Sequence, residues 1–445
     1  MKYIYIVLSV LVFFGCSSKE AVVKPTEKVK IVVDINETVQ DLIDIPQDIT
    51  YYTKNINEKY ISKVQKNYEK AYFTVWNFLE STQTLEDVKW PFKYFNTKKN
   101  YIENLQPVDE SFFMDMEKKS NFIDYKSINK KGLTLKYANL RALPTSSPLL
   151  MNPSLAGEGF PFDYLQNSGI HPNTPLFISH YSKDKQWVFV YTSFTYGWLK
   201  SDEVVEIQDE YASLWQNAQQ VYITKEGIPL FTSTGEALYN TRIGMLFALV
   251  DESEDDYTVL SISSYKGTQA KFNTTKISKD IATKELLSFN KENINKIITE
   301  VSKTKYGWGG LFEQRDCSST TMDYFVPFGV YIPRNSYMQS TVGAVIDLST
   351  LSEAYKIKAI KEKAIPFQTL FYKKGHILLY VGTYKEKIIV FHNVWGIKTK
   401  KDGIEGRFII GKPVFSTLKI GSNLKYYDKD AELLKNIKSM NVVTR

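Results

Sequence analysis

The chain has 445 residues, 43% hydrophobic and 24% charged, which excludes a disordered polymer and suffices for roughly two to four separately cored domains. Its net charge of +7 drops only to +6 when the first fifteen residues, with Lys2, are set aside; this diffuse excess suits an acidic polymer and gives no footprint for nucleic acid. Two cysteines, Cys16 and Cys317, are too few for a disulfide-built scaffold.

In chain order, Met1 to Ser17 carries one lysine and then an apolar run from Tyr3 to Phe14. The run is too short to span a bilayer and has the form of an export signal over residues 1–15. Gly15-Cys16 resembles a bacterial lipoprotein cleavage site, with Phe13 where such sites carry Leu. That resemblance implies cleavage before Cys16, acylation of its sulfur, and an exported protein anchored by lipid in the bacterial envelope. The place would be the outer membrane or periplasmic face in a two-membrane cell. An exported chain with Cys16 acylated would hold Cys317 as an unpaired thiol in an oxidising compartment, which favours a chemical role for it. Residues 16–43 are polar at first, with Pro25, and read as a tether; an ordered strand at Ile31–Val33 is the other reading.

Residues 44–133 read as a mainly helical segment. Ile61, Val64, Tyr68, Ala71, Tyr72 and Val75 recur at three- and four-residue spacing, and Trp76, Phe78, Trp90, Phe92 and Tyr94 add aromatic mass. The segment is either a small packing domain or a clamp over its neighbours. Residues 134–208 alternate short strand-like runs with turns, as a small β-barrel does. Residues 209–279 look like a second copy: Val221-Tyr222 leads to Gly227-Ile228-Pro229-Leu230-Phe231 much as Leu140 leads to Pro148-Leu149-Leu150. Asn139 to Thr145 and Tyr196-Gly197-Trp198-Leu199 resemble bacterial SH3-like barrels, which bind wall polymer or stiffen an architecture.

Residues 280–445 hold the chemistry. A helix over Lys291–Val301 places Ile294, Ile297 and Ile298 on one face. Gly307, Gly309 and Gly310 then lead to Asp316-Cys317-Ser318-Ser319 and a run with helix potential. A cysteine at a helix start faces unpaired N–H groups and the positive end of the helix dipole, and both favour thiolate. Its polar neighbours argue against a merely structural thiol. His376 and His392 follow on two strand-type runs joined by a short turn near Thr383–Lys387, so a hairpin brings both imidazoles to one sheet face. One would act as base and the other would orient it. His171 and His180 receive no role.

The segments YGWGG, RDCSS, IPRNS-x-x-Q, GHILLYVG and HNVWG resemble, in that order, the motifs of the NlpC family of papain-like cell-wall cysteine peptidases. The likeness covers about the last third of the chain. It departs at Ser319, where the family commonly has glycine. It implies Cys317 as nucleophile, His376 as general base and His392 as orienting residue, with Tyr306, Asp316, Ser318 and Ser336 lining the cleft. By analogy with members of this layout, Glu158 and Tyr196 of the first barrel would hold the free amine of a stem peptide. The fold expected is multidomain: an α+β papain-like catalytic domain preceded by two small SH3-like β-barrels and a mainly helical N-terminal segment.

The resemblance further implies a peptidoglycan stem-peptide or muropeptide substrate, cut between γ-linked D-glutamate and a diamino acid; the residues alone reach only acyl transfer by a thiol. The backbone N–H of Cys317 is the expected oxyanion donor. No cofactor and no nucleic-acid partner are implied. Three alternatives stand beside this reading: an N-acetylmuramoyl-L-alanine amidase with the same thiol, a non-catalytic wall-binding lipoprotein, and a zinc site of Cys317, His376 and His392, whose spacing does not resemble paired zinc ligands.

Overall fold

A computed structural model describes residues 37–54, 56, 67–81, 83–265 and 269–445. The export signal, Cys16, most of the expected tether, and Ile61 and Val64 lie outside the described residues.

Among the described residues of the N-terminal segment the helices are short. Its longest described helix, α1 (Glu110–Lys119), starts where the Asp109 carboxylate caps the Phe112 N–H at 3.1 Å. The others, such as Tyr68–Tyr72 and Trp90–Tyr94, are single turns. Their aromatic rings pack on one another and on the first barrel: Tyr72 meets Phe73, Phe73 meets Trp76, and all three share a core with Phe177, Phe189 and Trp198. Trp76 donates its indole N–H to the Gly132 carbonyl at 3.1 Å.

The first barrel comprises β1 (Lys130–Thr134), β2 (Ala138–Arg141), β3 (Gln166–Ile170), β4 (Pro175–Tyr181), β5 (Trp187–Tyr191), β6 (Tyr196–Lys200) and β7 (Val204–Glu206). It therefore begins four residues before position 134. A nine-residue helix, α2 (Asp209–Asn217), leads to the second barrel. That barrel holds β8 (Gln220–Ile223), β9 (Leu246–Glu252), β10 (Asp256–Tyr265), β11 (Gln269–Ser278) and β12 (Ala282–Thr283), with a small hairpin of Pro229–Phe231 and Ala237–Asn240. A single parallel bridge, Glu206 to Gln269, joins the two barrels into one continuous strand order, β12-β8-β9-β10-β11-β7-β1-β4-β5-β6-β2-β3.

The C-terminal domain sets two helices on an antiparallel sheet. Helix α3 (Lys291–Val301) is capped by Asn290 and buries Ile294, Ile297, Ile298 and Val301 along one face. Helix α4 (Cys317–Phe325) opens on a capping box of Asp316 and Ser319. The sheet runs β13-β18-β14-β15-β16-β17, where β13 is Ala344–Asp347, β14 Thr369–Lys373, β15 His376–Tyr384, β16 Lys387–Lys401, β17 Ile404–Thr417 and β18 Ser439–Val442; α5 (Glu353–Lys363) follows β13 in sequence. Side chains alternate across it. Leu370, Ile377, Leu379, Phe391 and Phe415 join Cys317 and Tyr324 in one core. Phe371, Leu378, Tyr380 and Val390 meet Ile360 of α5 on the other face.

Residues 38–43, expected within the tether, are docked on this domain. The Asp41 carboxylate accepts from the Thr417 N–H at 2.7 Å, and Val39 packs with Ile397 and Val414. Ile45, Ile49 and Tyr52 then enter the same core as Cys317. The three- and four-residue spacing of Val39, Leu42, Ile45 and Ile49 accounts for that one-sided burial.

Candidate active site

Cys317 begins α4, where the capping box fixes the first turn, and it is 8% exposed. The backbone N–H groups of Ile377 and Ser318 reach its sulfur. Ile377 directly follows His376, so the start of β15 lies against the thiol. Burial pushes the thiol up to about 12, with Asp316 adding to the rise and the two N–H groups and Arg334 opposing it. The thiolate expected from the helix start is thus overridden in the resting site, because desolvation of a nearly closed site outweighs a partial dipole charge. The Cys317 N–H has no acceptor among the described residues and stays available, as first-turn donors do.

His376 and His392 come together as the hairpin reading expects. Strands β15 and β16 turn through Lys385-Glu386, both at positive φ (46° and 63°), the two-residue turn that matches strand twist. His376 Nε2 lies 2.8 Å from His392 Nδ1, and His392 Nε2 lies 3.0 Å from Ser416 Oγ on β17. The Ser416 hydroxyl donates to the Thr417 carbonyl at 3.0 Å. Ser416 therefore accepts from His392 Nε2–H, which leaves Nδ1 of His392 to accept from His376 Nε2–H. The unprotonated nitrogen of His376 is then Nδ1. Burial, then His392, then Lys373 hold His376 well below its usual value, and burial with Lys373 brings His392 to about 3. Thiol and imidazoles rest neutral.

Asp316 is occupied. Arg334 grips its two oxygens at 3.0 and 2.8 Å, and the Ser319 N–H donates at 2.8 Å. Burial opposes its charge, yet Arg334 holds the carboxyl below the usual range. Arg334 also donates to Ser318 Oγ at 2.8 Å and to Ser168 Oγ of the first barrel at 2.9 Å. Asp316 and Ser318 thus stand beside Cys317 as parts of a brace. Gln339 ties the same motif to α4 by donating to the Ser318 and Pro333 carbonyls, both at 2.8 Å. Ser336 is half-buried at the start of the short Ser336–Gln339 turn. Tyr306 lies close enough to Cys317 and Asp316 that both, after burial, raise its phenol.

The first barrel supplies a wall. Gly309 (φ 57°) and Gly310 (φ 87°) let the loop before Cys317 seat on β3; a Cβ there would meet the Gln166 carbonyl and the Gly169 nitrogen, each at 2.7 Å. Trp308 donates to the Asp163 carbonyl at 3.0 Å, and Phe162 sets an edge against both Trp308 and Trp395. Glu158 accepts from the Tyr164 hydroxyl at 2.9 Å, and Tyr164 lies against Trp308. Tyr196 is not at this wall: its ring packs on Phe189 and Tyr191, and its hydroxyl donates to the Asp87 carbonyl at 3.2 Å. The phenol beside Glu158 is Tyr164, whose place between Phe162 and Gln166 carried no motif signal.

His171 has a partner after all. Its Nε2 lies 3.2 Å from both Asp323 oxygens, and Arg315 Nε donates to the same carboxylate at 2.7 Å. Burial opposes the Asp323 charge, but His171 and Arg315 hold its carboxyl far below the usual range. Arg315 also pairs with Glu226 of the second barrel at 3.0 Å. Arg334, Ser416 and Asn393, which donates to the Arg315 carbonyl at 2.7 Å, carry no assigned role in the sequence reading. Arg334 and Asn393 lay inside quoted motifs; Ser416 had no signal.

Family models match four stretches: an NLPC_P60 stabilising domain over residues 5–125, an SH3 domain of SH3b1 type over 148–200, an SH3 domain of SH3b2 type over 208–254, and the NlpC/P60 family over 303–402. The last span contains Cys317, His376 and His392. The C-terminal domain is an NlpC/P60 cysteine peptidase domain. No curated protein sequence matches the chain. An NlpC/P60 endopeptidase from Photobacterium damselae subsp. piscicida aligns at 24% identity and TM-score 0.78, over 90% of this chain and 98% of its own. That likeness is one of fold, and it spans the stabilising segment, both SH3 domains and the NlpC/P60 domain. An NlpC/P60 family protein from Bacillus cereus ATCC 10987 aligns at 15% identity and TM-score 0.46, over 71% of this chain and 100% of its own.

Proposed function

We propose that the chain hydrolyses peptidoglycan stem peptides at the bond between γ-linked D-glutamate and a diamino acid, with Cys317 as nucleophile, His376 as base and His392 as orienting residue. The observation that carries this is the Ser416–His392–His376 hydrogen-bond chain at the start of β15, next to the N–H that reaches the Cys317 sulfur. Because the pair rests neutral, proton transfer accompanies attack. The sulfur bonds to the scissile carbonyl carbon as its proton passes to Nδ1 of His376, and the Cys317 N–H receives the oxyanion. The C–N bond then breaks, and His376 gives that proton to the departing amine. Water attacks the thioester next; its proton goes to His376 and on to the sulfur, which leaves as thiol. His392 keeps the His376 ring in the tautomer this sequence needs.

At the barrel end of the cleft, Glu158 and Tyr164 offer the carboxylate and phenol suited to a substrate ammonium. We infer a lipid anchor on Cys16 and a place in the bacterial envelope from the first seventeen residues alone. The test is digestion of L-Ala-γ-D-Glu-diaminopimelate by the fragment lacking residues 1–16, read by mass. Free L-Ala-D-Glu is the expected product. Cys317→Ala is expected to lower the rate by on the order of 10⁴-fold or more; cleavage unchanged by that substitution would sink the mechanism. Release of the intact stem from muramic acid would make the enzyme an amidase.

A further inference from the structure

A cavity of about 250 Å³ opens beside the imidazole pair. His376, His392, Tyr306 and Trp395 line it, together with Lys373, Lys398 and Arg407, and no carboxylate does. Lys373 sits directly opposite His376 in the β14–β15 register, so the two side chains leave the same face as near neighbours. Lys398 and Arg407 have counter-ions outside the cavity. Lys398 pairs with Glu405 and lies 3.5 Å from Asp428; Arg407 lies 3.9 Å from Glu405 and donates to the Gly406 carbonyl at 2.8 Å. The Lys373 ammonium has no hydrogen bond or ion pair among the described residues; burial first, then Arg407 and Lys398, depress its pKa. An uncompensated, half-buried cation facing two more is costly unless an anion arrives to share the site.

We propose that Lys373, backed by Arg407 and Lys398, binds a side-chain carboxylate on the leaving residue of the substrate, and so selects a diamino acid that carries one over lysine. The proposal rests on the peptidase reading above. The proton for the departing amine comes from His376, so the leaving residue lies on the His376 side of the bond, where Lys373 stands. A diaminopimelate residue presents a carboxylate beside the amine at the far end of its side chain; lysine keeps the amine there and carries hydrogen in place of the carboxylate. One charge-assisted contact in a partly dehydrated cavity corresponds to roughly tenfold or more in specificity.

The experiment compares tripeptides ending in diaminopimelate or lysine, each with its main-chain carboxyl free or amidated. The wild-type chain is expected to favour diaminopimelate roughly tenfold in kcat/KM whichever main-chain form is used. Lys373→Met should bring the ratio to within about twofold through KM, Lys373→Arg should keep most of it, and Arg407→Gln should lower it less. Because Lys373 also acts on His376, its effect on kcat falls on both peptides alike; the ratio isolates recognition. Equal cleavage of both by the wild type, an unchanged ratio in Lys373→Met, or dependence on the main-chain carboxyl alone would overturn the proposal while leaving the peptidase intact. Should no peptide be cut, the peptidase reading fails. Calorimetry of meso-diaminopimelate with the Cys317→Ala chain then decides: binding lost in Lys373→Met supports the subsite, and no binding rejects it.

Discussion

The first barrel meets the loop before Cys317 mainly through neutral donors and aromatic edges. Tyr137 donates to the Gly310 carbonyl at 2.7 Å, Gln166 to the Gly309 carbonyl at 3.1 Å, and Trp308 to the Asp163 carbonyl. The second barrel meets the same region through charge. Glu226 pairs with Arg315, whose other partner is Asp323 on α4, and Arg242 donates to the Glu313 carbonyl. Among the described residues, His171 pairs with Asp323 and the Tyr137 ring lies under Arg242, so the first barrel also touches that charged cluster. Two copies of one fold therefore do different work. Many small shape-dependent contacts mould a cleft wall, whereas a buried ion cluster adds little net stability but penalises every other docking angle.

Breaking the charged side gives the largest expected effect. Arg315→Met leaves Glu226 and Asp323 buried without their shared cation and is expected to cost about 3–5 kcal/mol, read from denaturant midpoints. A loss under about 1 kcal/mol would mean that apolar contact alone docks the second barrel. Acid sharpens the comparison from the other side. Burial, partly offset by the Ser120 carbonyl, brings His180 in the first barrel to about 4, and the 209–279 barrel contains no histidine. Between pH 6.5 and 4 the unfolded chain binds the proton that native His180 refuses, so stability rises with pH across that window and is lost on acidification. The loss reaches about 2–3 kcal/mol by pH 4. Amide exchange should show β4–β6 loosening before β8–β11; simultaneous loosening would contradict the division. The smallest effect belongs to Tyr196→Phe, about 0.5 kcal/mol or less with kcat/KM unchanged. A large kcat/KM loss would return Tyr196 to the cleft.

The hairpin of His376 and His392 was legible because both lie on strand-type runs separated by a turn that only one pairing satisfies. Helix α4 was legible from its capping residues. What escaped was non-local. A tyrosine in a Tyr-Gly-Trp-Leu run has no sequence mark telling a cleft-facing ring from one buried on Phe189. Nor did anything around Tyr164 signal that its phenol would fold back onto Glu158, because that meeting depends on the turn between them. Thiol acidity failed for a related reason: the helix start acts locally, but the burial that overrides it belongs to the folded core around Cys317, with Tyr306 and the start of β15 close by. The charged cluster joins His171, Glu226, Arg315 and Asp323 across three domains, a coincidence that no spacing rule encodes.

Gln47 donates to the Phe415 carbonyl at 2.8 Å across 368 positions of sequence, with Ile45, Ile49 and Tyr52 sealed beneath α3 and the sheet. The peptidase is therefore not a cassette. A gene fusion cut near residue 280 would carry Cys317, His376 and His392 but leave an oily scar where three side chains had been, prone to self-association. Recombination that shuffles barrels between such proteins has to insert them inside the catalytic unit, between its opening segment and α3, as one would change the stones of a ring without opening the band.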